Sequence, residues 1–98
     1  MKREYEIKPL MVNNRVVSKL IIDSHVDKHA DHIDDDLIKL VVRCLDGEVY
    51  LPIDENDGFT YFATNLKHEE NWYKLVWLLE GDDLYIGVIT VYKDRRIK

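Results

Sequence analysis

Three histidines between residues 25 and 32 are the side chains whose spacing most directly suggests chemistry. His25, His29 and His32 stand at positions i, i+4 and i+7, which share one face of a helix. Three neutral imidazoles beside a carboxylate can bind zinc, but well-attested zinc signatures use tighter combinations, and the neighbouring residues here are acidic and polar. We therefore expect solvated histidines on a polar surface helix, and we assign no metal and no cofactor to the chain.

A metal-free use of the same histidines is acid/base catalysis, because an imidazole exchanges its proton near neutral pH. Cleavage of RNA needs a base for the ribose 2′-hydroxyl, an acid for the leaving 5′-oxygen and a cation for the phosphorane charge. The sequence offers His25 or His29 as the base, Tyr92 as the acid or orienting group, and Arg95 or Arg96 as the cation.

The distribution of charge restricts where a nucleic acid would bind. The net charge of −5 disfavours non-specific binding to phosphate backbones, so an RNA site must be local. Four cations and one acid lie in the last six residues, and the candidate RNA-binding residues are Lys93, Lys98 and Lys74.

Two β-prone runs open the chain, and a clear helix follows them. The runs Tyr5–Val12 and Arg15–Asp23 are separated by Asn13-Asn14, whose tolerance of positive φ predicts a tight hairpin. A short polar helix is expected from His25 to His32. A second helix begins at the acidic residues 34–36 and ends near Gly47, with an apolar stripe at 3.6-residue spacing formed by Leu37, Ile38, Val41, Val42 and Leu45.

The second half of the chain predicts an antiparallel meander. Its strands are expected at Glu48–Ile53, Phe59–Leu66, Trp72–Glu80 and Leu84–Lys93, joined by turns at Asp57-Gly58 and Gly81-Asp82-Asp83. Both faces of the last two strands are largely apolar, so both need cover. The predicted fold is a single α+β domain over residues 1–98, with an N-terminal β-hairpin and two helices packed on a four-stranded antiparallel sheet; the hairpin or a second copy would shield the face that the helices leave open.

The remaining composition indicates a folded protein of the cytoplasm. The charged opening MKREYEIKPL lacks the apolar core of a signal peptide, and no apolar run approaches the roughly 20 residues that cross a bilayer, so we expect no membrane association. Cys44 is the single cysteine, which predicts a reduced, unreactive thiol.

The segments DSHVDKHADHI, DDDLIKLVVRCLDG, YFAT, YKLVWLLE and LYIGVITVYK, in this order between Ile22 and Lys93, resemble a group of small bacterial toxins. These are the BrnT-like and RelE/ParE-like proteins of the superfamily gathered around barnase, EndoU, colicin ribonucleases and RelE. The resemblance implies a helical part on a four-stranded antiparallel sheet, ribonuclease activity neutralised by an antitoxin, and an active face with His25, Tyr92 and the basic residues that follow it. The chain differs from these relatives in carrying His29 and His32 where they commonly have arginines.

Two hypotheses of different class follow. The first is a metal-independent endoribonuclease of toxin–antitoxin type, whose partners are RNA and a cognate antitoxin. The second is a non-catalytic protein-interaction module of the same fold, which binds another protein or forms a homodimer through its acidic surface and apolar sheet face.

Overall fold

The computed structural model describes residues 2–23, 33–82 and 84–94. Within these ranges the chain forms one six-stranded mixed sheet, in the order β1-β2-β6-β5-β4-β3, and one helix. The elements are β1 Lys2–Val12, β2 Arg15–Asp23, α1 Asp35–Arg43, β3 Asp54–Asn56, β4 Phe59–His68, β5 Asn71–Glu80 and β6 Ile86–Lys93.

The N-terminal hairpin forms as the sequence predicts. Asn13 and Asn14 have φ of 51° and 64°, and they join Val12 and Arg15 in a two-residue turn. Two successive left-handed residues give a turn whose twist matches that of the flanking strands. The expected tight turn is therefore confirmed.

The last four strands pair antiparallel, which confirms the meander. Asp57 and Gly58 form a two-residue turn with φ of 51° and 83°, so β3 pairs directly with the start of β4. β4 pairs with β5 along its whole length, from Phe59 opposite Glu80 to His68 opposite Asn71. β5 then pairs with β6, with one extra residue in β6 at Ile89.

The predicted fold class is wrong in its sheet. The hairpin does not pack over the meander but extends it, because β2 pairs in parallel with β6 through Ile21 opposite Gly87. The result is six mixed strands instead of four antiparallel ones, with one short helix in the described chain instead of two. Pairing between strands separated by more than 60 residues depends on the tertiary fold, and no local sequence signal specifies it. The expected helix at His25–His32 lies outside the described residues.

The helix α1 forms with the predicted cap and the predicted apolar stripe. The side chain of Asp34 accepts a hydrogen bond from the backbone N–H of Leu37, which satisfies a helix-end donor. Ile38, Val41 and Val42 are buried against the sheet. Gly47 has φ of 86°, which is the left-handed conformation expected after the helix.

The helix α1 lies across the sheet between β1 and β4. At its start Asp35 binds Arg3 of β1, and directly after its end the thiol of Cys44 lies 3.8 Å from the carbonyl oxygen of Lys67 in β4. A nine-residue helix is about 13.5 Å long, so together with these side chains it reaches from one strand to the other. The buried face of α1 thereby covers the core side of the sheet.

The strand expected at Glu48–Ile53 is also wrong. This segment is an irregular connection, and the strand begins only at Asp54. Asn13 explains the difference, because its side chain donates to the carbonyl of Tyr50 at 3.0 Å and accepts from the Tyr50 N–H at 2.6 Å. The Tyr50 ring then packs edge-on against Trp77, with centroids 5.8 Å apart. These contacts hold the segment across the core instead of in the sheet.

The face of the sheet opposite α1 is called the outer face below. It carries alternate residues such as Val76, Leu78 and Ile89, which are half-buried, and the hairpin does not cover it. Within the described part of the chain, no helix is long and apolar enough to cross a membrane.

Candidate functional site on the outer sheet face

The structure describes three of the predicted site residues, namely Tyr92, Lys74 and Lys93. The other five, His25, His29, Arg95, Arg96 and Lys98, lie outside the described residues, as does His32. The candidate site must therefore be built from the strands that lead to these positions.

Lys74 and Tyr92 are neighbours on the outer face. Lys74 of β5 stands directly opposite Tyr92 of β6, and Asn65 of β4 stands opposite Lys74 on its other side. Because side chains alternate along a strand, all three point away from the buried Leu75 and Val91. An amide, an ammonium and a phenol thus form a row across three adjacent strands.

Lys93 does not belong to this row. It stands opposite Tyr73, whose side chain is buried on the α1 side. Alternation places the exposed Lys93 on that side of the strand end as well. The structure therefore places Lys93 and Lys74, two of the candidate RNA-binding lysines, on opposite faces of the sheet. Lys74 lies on the same face as Tyr92.

Thr90 is a residue of the outer face that the sequence analysis missed. It stands opposite Val76, immediately after the extra residue Ile89, and two residues before Tyr92. Among the described residues, its Oγ1 is the buried side-chain oxygen without a hydrogen-bond partner. A buried hydroxyl without a partner costs free energy unless a water or a ligand supplies one. The sequence does not reveal this unpaired hydroxyl, because a threonine in an apolar strand is ordinary. Only the structure shows that the hydroxyl is buried.

An aromatic and a second lysine extend the row toward the end of the sheet. Trp72 of β5 stands opposite Lys67 of β4, and the Trp72 carbonyl accepts the backbone N–H of Asp94 at 2.9 Å. We call Asn65, Lys67, Trp72, Lys74, Thr90 and Tyr92 the outer-face patch. Aromatic and cationic side chains on an open sheet face are the combination with which many proteins hold unpaired nucleotides.

The parallel pairing of β2 and β6 orders the two segments that flank this patch. Ile22 pairs with Val88, so β2 reaches its end at Asp23 beside the middle of β6, which continues in the same direction to Lys93. Asp23 lies two residues before His25, and Asp94 directly precedes Arg95. The last described residue before the histidines therefore lies beside the middle of β6, whereas the last described residue before the arginines follows the end of β6.

The thiol of Cys44 is unsuited to nucleophilic chemistry. Burial raises the pKa of the Cys44 thiol, which lies 3.5 Å from the carbonyl oxygen of Leu40. A thiol with a raised pKa carries little thiolate at neutral pH, and the thiolate is the reactive form. Among the described residues, no three His, Cys, Asp or Glu side chains come together as a metal site.

A second polar cluster joins β1 to α1 and is structural in character. Two guanidinium nitrogens of Arg3 donate to the two carboxylate oxygens of Asp35, at 2.8 and 2.9 Å, and the Tyr5 hydroxyl donates to the same carboxylate. The hydrogen bond from Arg3, assisted by the one from Tyr5, lowers the pKa of Asp35, while the hydrogen bond to Asp35 raises the pKa of Tyr5. A groove of about 450 Å³ lies further along β1 and α1, between Lys8 and Leu40. It contains none of the predicted site residues.

Comparison with protein-family models, with curated proteins and with solved structures gave no match for this chain.

Proposed function

We propose that this protein is a metal-independent endoribonuclease of the toxin–antitoxin kind, with its active face on the outer-face patch. The observation that carries the proposal is the row of Asn65, Lys74 and Tyr92 across three adjacent strands of the outer face. The parallel β2–β6 pairing supports it, because the strands that precede His25 and Arg95 are adjacent in the sheet and run in the same direction.

The reaction is an internal transesterification of RNA. A base, His25 or His29, takes the proton of a ribose 2′-hydroxyl, and the 2′-oxygen forms a bond to the adjacent phosphorus. The bond from phosphorus to the 5′-oxygen breaks, and this oxygen receives a proton from the acid. The products are a 2′,3′-cyclic phosphate and a free 5′-hydroxyl, so the reaction needs no external nucleophile.

The described side chains have distinct roles in this scheme. Tyr92 donates its hydroxyl proton to the leaving 5′-oxygen or orients the phosphate, while the ammonium of Lys74 stabilises the charge on the phosphorane, together with Arg95 or Arg96. The Trp72 ring provides a stacking surface for a base, which is worth roughly 1–3 kcal/mol in single-strand binders. The exposed amide of Asn65 provides hydrogen bonds to the same nucleotide.

The test is a cleavage assay with purified protein and a labelled single-stranded RNA, carried out both with and without EDTA. We expect 2′,3′-cyclic phosphate ends from the native chain. Loss of a general acid or of a phosphate-binding cation typically lowers such rates by about 10²- to 10⁴-fold, so Tyr92→Phe and Lys74→Ala should be nearly inactive. The matched controls are Tyr61→Phe, on β4, which β5 separates from β6, and Lys8→Ala, on β1, and both should cleave at the native rate.

Cleavage that EDTA abolishes, or equal rates for Tyr92→Phe and Tyr61→Phe, would contradict the proposal. An intact RNA with every variant would favour the second hypothesis, a non-catalytic interaction module. The feature that supports this second hypothesis is the half-buried apolar outer face. Under it, Ile89→Lys should disrupt association with a protein partner or with a second copy. Trp77 is unsuited to that test, because it is completely buried on the other face and a charge there would unfold the protein.

A further inference from the structure

Three aliphatic side chains project from the segment between α1 and β3. Val49, Leu51 and Ile53 are 64%, 89% and 64% exposed, and together we call them the aliphatic ridge. Single exposed aliphatic residues are common on soluble proteins, but three within five residues concentrate exposed apolar surface on one short segment. Such a surface marks a site of contact with another molecule.

The ridge is held in place by contacts on both sides. Tyr50, between Val49 and Leu51, points inward onto Trp77 and is bonded through its backbone to Asn13. At the other end, the N–H of Ile53 donates to the carbonyl of Tyr61 at 2.8 Å. The segment is thus anchored at its centre and at its end. A binding surface that is already ordered loses little conformational entropy when a partner arrives.

The charge near the ridge is predominantly negative. From Cys44 to Leu66 the chain has five acidic residues and no Lys, Arg or His. Four of these acids border the ridge directly in sequence and are exposed: Glu48, Asp54, Glu55 and Asp57. The hydrogen bond from the Gly81 N–H to the Gly58 carbonyl places the turn that contains Asp82 beside the turn that contains Asp57. One cation reaches this turn, since Arg15 donates to the Gly81 carbonyl at 3.4 Å.

These observations determine the chemistry of the occupant. We infer that the ridge is the docking surface for a protein partner that offers an apolar groove bordered by lysines or arginines. A second copy of this chain does not fit, because a symmetric contact would place the acids of one ridge against the acids of the other. A basic border instead gives attraction at the rim, while the groove removes the aliphatic side chains from water.

The ridge is separate from the outer-face patch. Ile53 binds Tyr61, which stands opposite Leu78 in β5, four residues from Lys74, and this is roughly 13 Å along the strand. Tyr50 lies on the α1 side of the sheet, because it packs on the buried Trp77. A partner on the ridge therefore leaves the outer face accessible, and the inference stands independently of the proposed nuclease activity.

The test is photocrosslinking in cells of the source organism, with p-benzoylphenylalanine in place of Leu51. The matched control carries the same probe in place of Leu40, which is an exposed leucine on α1. We expect a heterologous protein that crosslinks at position 51 and not at position 40. That protein is then purified, and its affinity is measured for the native chain, Leu51→Ser and Leu40→Ser.

Leu51→Ser should weaken this affinity at least about tenfold, since a buried leucine contributes more than a factor of ten in binding. Leu40→Ser should leave it unchanged, and added salt should weaken it because of the acidic border. The melting temperature of Leu51→Ser should stay within about 2 °C of the native value, since Leu51 packs little in the free protein. The inference is overturned by the absence of a crosslink specific to position 51, by a crosslink to another copy of the chain, or by a partner that binds Leu51→Ser as tightly as the native protein.

Discussion

Trp77 shows how one side chain depends on polar contacts inside an apolar core. It is completely buried, stacked on Phe62 with centroids 4.1 Å apart, and its indole N–H donates to the Thr64 hydroxyl at 3.0 Å. A buried indole N–H needs an acceptor, because leaving it unpaired costs the desolvation of a polar group. Thr64 supplies this acceptor from the neighbouring strand.

We therefore expect Thr64→Val to lower the free energy of unfolding by about 1–2 kcal/mol, although valine has nearly the same shape. Thr64→Ser keeps the hydroxyl and should lose less than Thr64→Val. Urea unfolding followed by Trp fluorescence measures both. A valine variant as stable as the native protein would show that the indole N–H is not paired in this way.

Asn13 and Asn14 form one turn but have different tasks. Both adopt positive φ, which glycine tolerates at no steric cost, yet only Asn13 binds Tyr50 through two hydrogen bonds. Asn14→Gly should leave the free energy of unfolding within about 0.5 kcal/mol of the native value. Asn13→Gly should lower it by about 1–2 kcal/mol, because the turn is kept while the two bonds are lost.

Chemical denaturation of the two glycine variants provides the comparison, and each is the control for the other. Equal stabilities would mean that the segment after α1 does not depend on Asn13.

At the scale of elements, the attachment of α1 to β1 depends on the carboxylate of Asp35. The Arg3 hydrogen bond, which is the main cause, lowers the pKa of Asp35 below its ordinary value of 3.8 in the folded protein. The unfolded chain then binds the proton more readily, so this contribution to stability is complete above pH 3.8. It is lost as the pH falls below that value through the lower pKa of the folded state.

Asp35→Asn should therefore destabilise the protein by about 1 kcal/mol at pH 7, a modest value because the Arg3 and Asp35 side chains are partly exposed. The difference from the native protein should shrink in acid, below pH 3.8. Asp36→Asn is the matched control, because the neighbouring Asp36 side chain is 91% exposed and its replacement should change stability little. Thermal unfolding from pH 2 to pH 7 measures both variants, and a constant difference across this range would contradict the assignment.

At the scale of the whole molecule, the local features could be predicted and the long-range ones could not. Asn13-Asn14, Asp57-Gly58 and the apolar stripe of α1 each determine structure over a few residues, and each formed as expected. The parallel partner of β2 and the displacement of Glu48–Ile53 depend on contacts between distant parts of the chain. A helix covering the sheet could be inferred from strands that are apolar on both faces, but the in-plane position of the hairpin could not.

The candidate site likewise combines residues that the sequence indicates with features that only the structure reveals. Tyr92 and Lys74 were recognisable from their residue types and the basic end of the chain, while their adjacency appears only in the strand register. Thr90 was not recognisable, because an apolar strand with one threonine is ordinary until the burial of its hydroxyl is known. The aliphatic ridge was hidden for a related reason, since Val49, Leu51 and Ile53 alternate as strand residues do.

The position at which RNA binds tests the proposed active face most directly. Amide chemical shifts of the ¹⁵N-labelled protein would be followed during titration with a single-stranded 2′-O-methyl RNA, which cannot be cleaved because its 2′-oxygen is blocked. We expect the largest changes at Asn65, Lys74, Thr90 and Tyr92, with residues 49–53 unaffected. An absence of changes, or changes confined to the α1 side of the sheet, would contradict the assignment of the active face.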